Sequence, residues 1–168
     1  MCGVSGVIFK KKFIKKEKII TMNGLISHRG PDQSGYLEFN NLLLGHVRLS
    51  VLDISNKGRQ PMSNDERYSI IYNGEVYNYK ELKETLIKKN YNFYSKTDTE
   101  VVLNSYKEWG FDCFEKFNGD WVISILDKKE KTLIIARDGD VYAMVKLIFL
   151  NILVSIVLWI VLLCEMDI

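Results

Sequence analysis

Apolar and polar positions change period several times along the chain, and each change marks an element. Cys2–Phe9 (CGVSGVIF) is a short apolar, partly β-branched run that predicts a buried strand. After a lysine-rich turn, Ile19, Met22 and Ile26 recur at helical spacing, predicting a short amphipathic helix. It ends before His28-Arg29-Gly30-Pro31-Asp32, a shaped loop in which Gly-Pro stops a helix and Asp favours a turn. Leu42–Asp53 (LLLGHVRLSVLD) reads as a strand with Arg48 set in an apolar run, and Asn56–Glu66 as a polar loop. Tyr68–Tyr72 (YSIIY) is a second buried strand, broken at Asn73-Gly74, a dipeptide that usually turns a hairpin. A helix follows instead, with Tyr79, Leu82, Leu86 and Ile87 as its apolar face. Such a strand–turn–helix can leave backbone N–H groups free for an anion. Thr97-Asp98-Thr99-Glu100 opens another helix as a capping box, Val101, Leu103, Tyr106 and Trp109 give it apolar surface, and Gly110 ends it. Trp121–Leu126 and Thr132–Ala136 form a hairpin around the charged turn 127–131. Strands and helices mix without strict alternation, which predicts an α+β fold with largely antiparallel sheets.

The chain has 168 residues, enough for one domain with a real core. Charged residues make up 26% and hydrophobic ones 47%, which excludes a disordered chain. A net charge of +2 gives no footing for a nucleic-acid partner. The local cluster Lys10, Lys11, Lys12, Lys15, Lys16 and Lys18 lacks aromatic platforms beyond Phe9 and Phe13 and reads as a solvated turn. Cysteines at 2, 113 and 164 form neither a disulfide framework nor a metal-ligand spacing, and His28 and His46 are the only histidines, so no metal site is expected. Scattered cysteines and the absence of a secretory signal point to the cytoplasm.

Cys2 has chemistry in reserve. Once Met1 is removed, its thiol and its own α-amine sit on one residue. An amine titrating near pH 7.7–8.0 suits a general base near neutrality. Taken singly, the other polar candidates have plain readings: Arg48 as a strand-edge charge pairing with Asp53, Asn73-Gly74 as a turn, Asp98 as a helix-opening acid.

Their order changes the balance. Cys2-Gly3-Val4-Ser5-Gly6, His28-Arg29-Gly30-Pro31-Asp32, Arg48-Leu49-Ser50, Gln60-Pro61-Met62, Tyr72-Asn73-Gly74-Glu75 with Tyr77-Asn78-Tyr79, Thr97-Asp98-Thr99-Glu100 and Ala136-Arg137-Asp138 occur in register. Together they resemble the class II glutamine amidotransferase domain at the N-terminus of glutamine-hydrolysing asparagine synthetases, over residues 2–138. The resemblance implies an N-terminal-nucleophile hydrolase fold, a four-layer αββα sandwich of two antiparallel sheets. It implies hydrolysis of the glutamine side-chain amide to glutamate and ammonia. It implies Cys2 as nucleophile, with Asn73 and Gly74 as the oxyanion hole, Arg48 gripping the substrate α-carboxylate, and Glu75 and Asp98 near its α-amino group. The backbone around Leu49 and Val51 would line the same pocket. In this family no histidine acts as the base, so His28 and His46 read as structural. The glutaminase half needs no cofactor. ATP and Mg belong to a synthetase domain that amidates aspartate and is missing here; that domain would be the partner.

The resemblance stops after Asp138, leaving the domain incomplete at its C-terminal end. Residues 139–168 form a divergent tail in which 147–164 (LIFLNILVSIVLWIVLLC) carry no charge. As a helix these 18 residues would span about 27 Å, close to a membrane core. A foreign tail on a truncated domain, a membrane anchor and a core segment are the competing readings. The rival to a glutaminase is accordingly an inactive, membrane-anchored fragment that acts only by interaction.

Overall fold

The computed structural model describes residues 2–9, 15–138 and, as backbone alone, 140–146. Strands β1 (Gly3–Ile8), β2 (Gln33–Phe39) and β3 (Leu42–Arg48) form one antiparallel sheet in the order β1-β3-β2. Strands β4 (Tyr68–Val76), β5 (Gly119–Asp127), β6 (Thr132–Arg137) and β7 (Asp140–Lys146) form a second antiparallel sheet in chain order. Helix α1 (Glu17–Leu25) packs on the first sheet, and α3 (Asp98–Trp109), with α2 (Tyr79–Lys88) against it, packs on the second. The result is the four-layer αββα sandwich expected from the sequence.

Two apolar layers hold it together, and the period of two along each strand assigns residues to them. Leu42, Leu44, Ile71, Leu126, Leu133 and Ile135 meet between the sheets, flanked by Val4 and Leu37. Alternate positions of the second sheet, including Ile70, Tyr72, Ile123, Ile125 and Ile134, face α2 and α3 and pack on Leu86, Val101 and Leu103. A ladder of rings from Tyr106 through Phe114 to Trp121 extends this second layer toward the end of β5.

The structure corrects the sequence reading in several places. Strand β3 ends at Arg48 rather than Asp53. Strand β2 went unread because Gly35 occupies an inward-facing position of its alternation, while Ser34, Tyr36 and Glu38 point outward. Strand β4 does not break at Asn73-Gly74 but runs to Val76 in register with β5. Here Gly74 has φ 145°, and Gly119 on the facing strand has φ 152°, extended conformations open to glycine almost alone. A Cβ on Gly74 would also overlap the Asp120 carbonyl. The capping box is half-formed: Thr97 Oγ1 accepts from the Glu100 N–H at 3.4 Å, but the Glu100 carboxylate accepts from Tyr94 N and Ser95 N instead. Ile87 is exposed, so the buried face of α2 is Leu82 and Leu86. Asp140–Lys146 pairs with β6, so the sheet continues beyond residue 138. No helix among the described residues is long and apolar enough to cross a membrane, and 147–164 lie outside the described residues.

A polar staple locks α1 across the first sheet. Buried Asn23 accepts from Ser5 Oγ at 2.7 Å and donates to the Gly35 carbonyl at 2.9 Å and to Ser34 Oγ at 3.1 Å. It thus bridges β1 and β2 over Gly45 of β3. Asn23→Ala leaves several of these groups unpaired and is expected to cost about 2 kcal/mol, seen as a lower urea midpoint at unchanged slope.

Candidate active site

At one end of the sandwich the two sheets separate around a cavity of about 630 Å³. Register brings its residues together. Gly3 faces Val47 across β1 and β3, so one further step sets Cys2 beside Arg48, while Gln33 of β2 faces Arg48 from the other side. Leu42, Leu44, His46 and Arg48 share one face of β3 by the period of two, and Leu42 and Leu44 show that this face looks at the second sheet. Strand β4 supplies Asn73, Gly74 and Glu75 from the opposite side, and the start of α3 supplies Asp98. Every residue singled out from the sequence, Leu49 and Val51 included, lines this cavity.

Cys2 is half-buried, with Sγ 3.6 Å from the Leu49 carbonyl. Burial pushes its thiol pKa up, so at neutral pH the sulfur carries its proton and needs a base to become a nucleophile. Arg29 Nε donates to the Cys2 carbonyl at 3.1 Å, and Asp32 Oδ2 accepts from the Ser50 N–H at 2.6 Å. The shaped loop 28–32 therefore braces both Cys2 and the segment after Arg48.

Arg48 is buried and forms no ion pair among the described residues. Its Nη1 donates to Gln33 Oε1 at 3.0 Å and to the Ser55 carbonyl at 3.1 Å, and its Nη2 donates to the Asp53 carbonyl. The pairing with Asp53 anticipated as an alternative therefore runs through the backbone. The Asp53 carboxylate turns instead to the Ser55 and Lys96 N–H groups, at 2.9 and 3.0 Å. Three N–H donors of a guanidinium that owns five are thus used, leaving two and an undivided positive charge for a ligand. Gly58 packs against this guanidinium, where a Cβ would overlap Nη2.

Asp98 opens α3 and is held from three sides. Its Oδ2 accepts from the Tyr72 hydroxyl at 2.7 Å and the Val76 N–H at 3.3 Å, and its Oδ1 accepts from the Thr99 N–H at 2.9 Å. Burial pushes its pKa up against these hydrogen bonds, so a cation entering the cavity would meet a carboxylate short of charge compensation. Glu75, by contrast, is exposed at the rim.

Strand β4 is the edge of its sheet, and its outward-facing backbone groups recur every second residue. Ile70 exchanges both hydrogen bonds with Met62 at 2.8 and 2.9 Å. The Tyr72 N–H donates to Gln60 Oε1 at 2.6 Å, and the Val76 N–H donates to Asp98. Gly74, between them, faces the same way, and no side chain or loop carbonyl among the described residues takes its N–H. The Asn73 carboxamide beside it makes no hydrogen bond to the described residues either. A free backbone donor and a free amide donor at the wall of a thiol-containing cavity form a place for an oxyanion.

This layered sandwich, with a cysteine at the start of its first strand and its cavity at the sheet ends, is the fold of the N-terminal-nucleophile hydrolases. The family model for the glutamine amidotransferase domain matches residues 1–140, and the chain belongs to that family. An asparagine synthetase (glutamine-hydrolyzing) 2 of Methanocaldococcus jannaschii is 44% identical over 157 residues, covering 82% of this chain and 30% of the relative. Asparagine synthetase (glutamine-hydrolyzing) 3 of Bacillus subtilis is 42% identical over 143 residues, covering 82% of this chain and 23% of its own length. The chain thus spans less than a third of the curated relatives it matches. Among solved structures, glutamine phosphoribosylpyrophosphate amidotransferase from B. subtilis shares the fold with a TM-score of 0.66 at 20% identity, over 81% of this chain and 37% of that one.

His46 lies behind the cavity wall, buried against the backbone of Tyr72. Its Nε2 lies 3.0 Å from the Tyr72 carbonyl, an acceptor, so Nε2 carries a proton. Burial first, with the Arg48 charge adding to it, holds its pKa down to about 4. The unfolded chain takes up this proton as pH falls through 6.5, whereas the folded chain resists until about 4. Stability is therefore complete above 6.5 and declines on acidification toward 4. Between about pH 7 and about pH 5 this histidine is expected to account for a loss of about 2 kcal/mol. Urea unfolding at the two pH values should show that loss in the wild type and a smaller one in His46→Gln.

Proposed function

We propose that this chain hydrolyses the side-chain amide of glutamine to glutamate and ammonia, with Cys2 as the nucleophile. The observation that carries the reading is the convergence of a thiol, a two-pronged cation, a buried carboxylate and two unspent hydrogen-bond donors on one cavity. An α-amino acid has a carboxylate for the free donors of Arg48 and an ammonium for Asp98 and the rim acid Glu75. Its side-chain carbonyl then reaches toward Cys2. The backbone at Leu49 and Val51 borders the same space and bounds the ligand without adding charge.

In this reading removal of Met1 frees the Cys2 α-amine, which supplies the base that a neutral thiol requires. The sulfur bonds to the amide carbon, the carbonyl electron pair moves onto oxygen, and the thiol proton passes to the amine. Gly74 N–H and the Asn73 carboxamide hold the resulting oxyanion, each such donor contributing about 2.7–4 kcal/mol to the transition state. Collapse breaks the C–N bond, the amine returns its proton to the leaving nitrogen, and ammonia departs from a thioester. Water then adds to the thioester, the sulfur leaves with a proton, and glutamate is released. No step calls on a cofactor. The relatives are named glutamine-hydrolyzing asparagine synthetases, which supports use of the ammonia in a synthetase reaction, and ATP and Mg would serve that reaction rather than this one.

Incubation with an electrophilic glutamine analogue, followed by peptide mapping, tests the nucleophile: the label should fall on Cys2 with Met1 absent. Cys2→Ala should abolish both labelling and glutamate release, and release that survives it would refute the mechanism. Gly58→Ala probes the cation by crowding Arg48. Since that contact binds ground and transition states alike, KM for glutamine should rise about tenfold with kcat nearly unchanged.

A further inference from the structure

The donors that would hold the oxyanion sit on a strand edge, and that edge is fixed at the residue just before them. Tyr72, the residue before Asn73-Gly74, is gripped through both of its outward backbone groups. Its N–H donates to Gln60 Oε1 at 2.6 Å, and its carbonyl accepts from His46 Nε2 at 3.0 Å. Both partners are buried, His46 at 1% exposure and Gln60 at 4%. They come from different parts of the fold. His46 belongs to β3 of the other sheet, two residues before Arg48, whereas Gln60 reaches in from the loop before β4 and is itself held by donating to Thr99 Oγ1 at 3.3 Å. Neither histidine nor glutamine hydrogen-bonds Cys2.

Between the sheets the neighbouring contacts are otherwise aliphatic, Leu44 and Ile71 among them. Such contacts resist separation but tolerate small shifts along the interface, because dispersion has little directionality. Hydrogen bonds to a backbone N–H and a backbone C=O of one residue fix both its position along the strand and its tilt. The oxyanion donors need that precision, since they must lie 2.7–3.1 Å from an oxygen that forms only in the transition state.

We propose that His46 and Gln60 are positioning residues that clamp Tyr72 from two sides and so aim the Gly74 N–H and the Asn73 carboxamide at the reacting carbonyl. The clamp rests on the glutaminase reading of the site. It also joins the substrate's two ends: the strand that carries Arg48 holds, through His46, the strand that carries the oxyanion donors. A histidine in this place acts through hydrogen-bond geometry, never as the base.

The test uses the full chain and paired substitutions. His46→Leu and Gln60→Leu remove one jaw each at similar volume. His46→Gln keeps an N–H near the Nε2 position, and Gln60→Glu keeps the acceptor oxygen while Thr99 Oγ1 can donate in return. Each leucine variant should lower kcat for glutamine hydrolysis by about 100-fold, with KM within about twofold, and each conservative variant should recover most of it. The amide resonance of Gly74 should move in the leucine variants and return in the conservative ones, a readout that needs no turnover. Unchanged kcat and an unmoved Gly74 resonance in a folded leucine variant would overturn the clamp, as would equal losses in the leucine and conservative variants. Should His46→Leu fail to fold, the Gln60 pair decides alone. A wild type that releases no glutamate sinks the glutaminase reading instead, and the Gly74 resonance then decides whether the clamp exists.

Discussion

An edge strand must do something with half of its backbone donors, and this site is built from that obligation. Along the open side of β4 the outward groups of residues 70, 72 and 76 are paired to Met62, to Gln60 and His46, and to Asp98. Among the described residues Gly74 is the member of that series whose N–H no side chain or loop carbonyl takes, and it lines the cavity. The usual remedies for an edge are a covering loop, a bulge or a charge. Here the covering is supplied one residue at a time and omitted where a ligand would sit. The loop 56–66 contributes two partners, Gln60 and Met62, and the first sheet and the start of α3 contribute one each, so the same hydrogen bonds that protect the edge assemble the cavity walls.

The position of every other polar group follows from the pairing of strands at the sheet ends. Because β3 runs between β1 and β2, Arg48 at its terminus falls next to Cys2 on one side and Gln33 on the other. The guanidinium is then held by backbone carbonyls and a neutral amide rather than by a carboxylate. That choice matters electrostatically. An ion pair would have neutralised the charge and filled its donors, whereas carbonyl partners order the side chain and leave its charge available. Asp98 mirrors this on the other wall, its carboxylate fixed by N–H and O–H donors without a cationic neighbour among its hydrogen-bond partners.

Much of this was legible in the sequence, for a physical reason. A site that needs a thiol, a fork-shaped cation, a carboxylate and a small residue beside an amide uses residue types with few substitutes, so motif order identified Cys2, Arg48, Asn73, Gly74 and Asp98 before any geometry was known. The apolar periods likewise gave the helices and most strands. What stayed hidden depended on pairing. Asn-Gly after an apolar run reads as a turn, and nothing local reveals that Val122 and Trp121, far along the chain, pair with it, or that Gly119 two residues on takes the same unusual φ opposite Val76. Gln60 and Arg29 hold the backbone of Tyr72 and Cys2, and backbone atoms carry no residue-type signal. His46, in a run of apolar residues, reads as structural, and nothing local reveals that its partner is the carbonyl of Tyr72 on the other sheet.

The division of labour that results separates reactivity from placement. Burial keeps the Cys2 thiol protonated, so the resting site stores no reactive thiolate, and no neighbouring cation in hydrogen-bond contact is spent on lowering its pKa. In the proposed reaction, reactivity then comes from a base that acts when substrate is present and from donors already aimed at the oxyanion. Preorganised donors contribute most when they need not move during the reaction, which favours rigid strand backbone over loop side chains. A strand can supply such a donor only where its sheet ends, since every interior N–H is taken by the ladder. The catalytic requirement and the edge of β4 are therefore one constraint, and the neutral clamp of His46 and Gln60 on Tyr72 is the natural way to satisfy it without adding a charge next to the thiol.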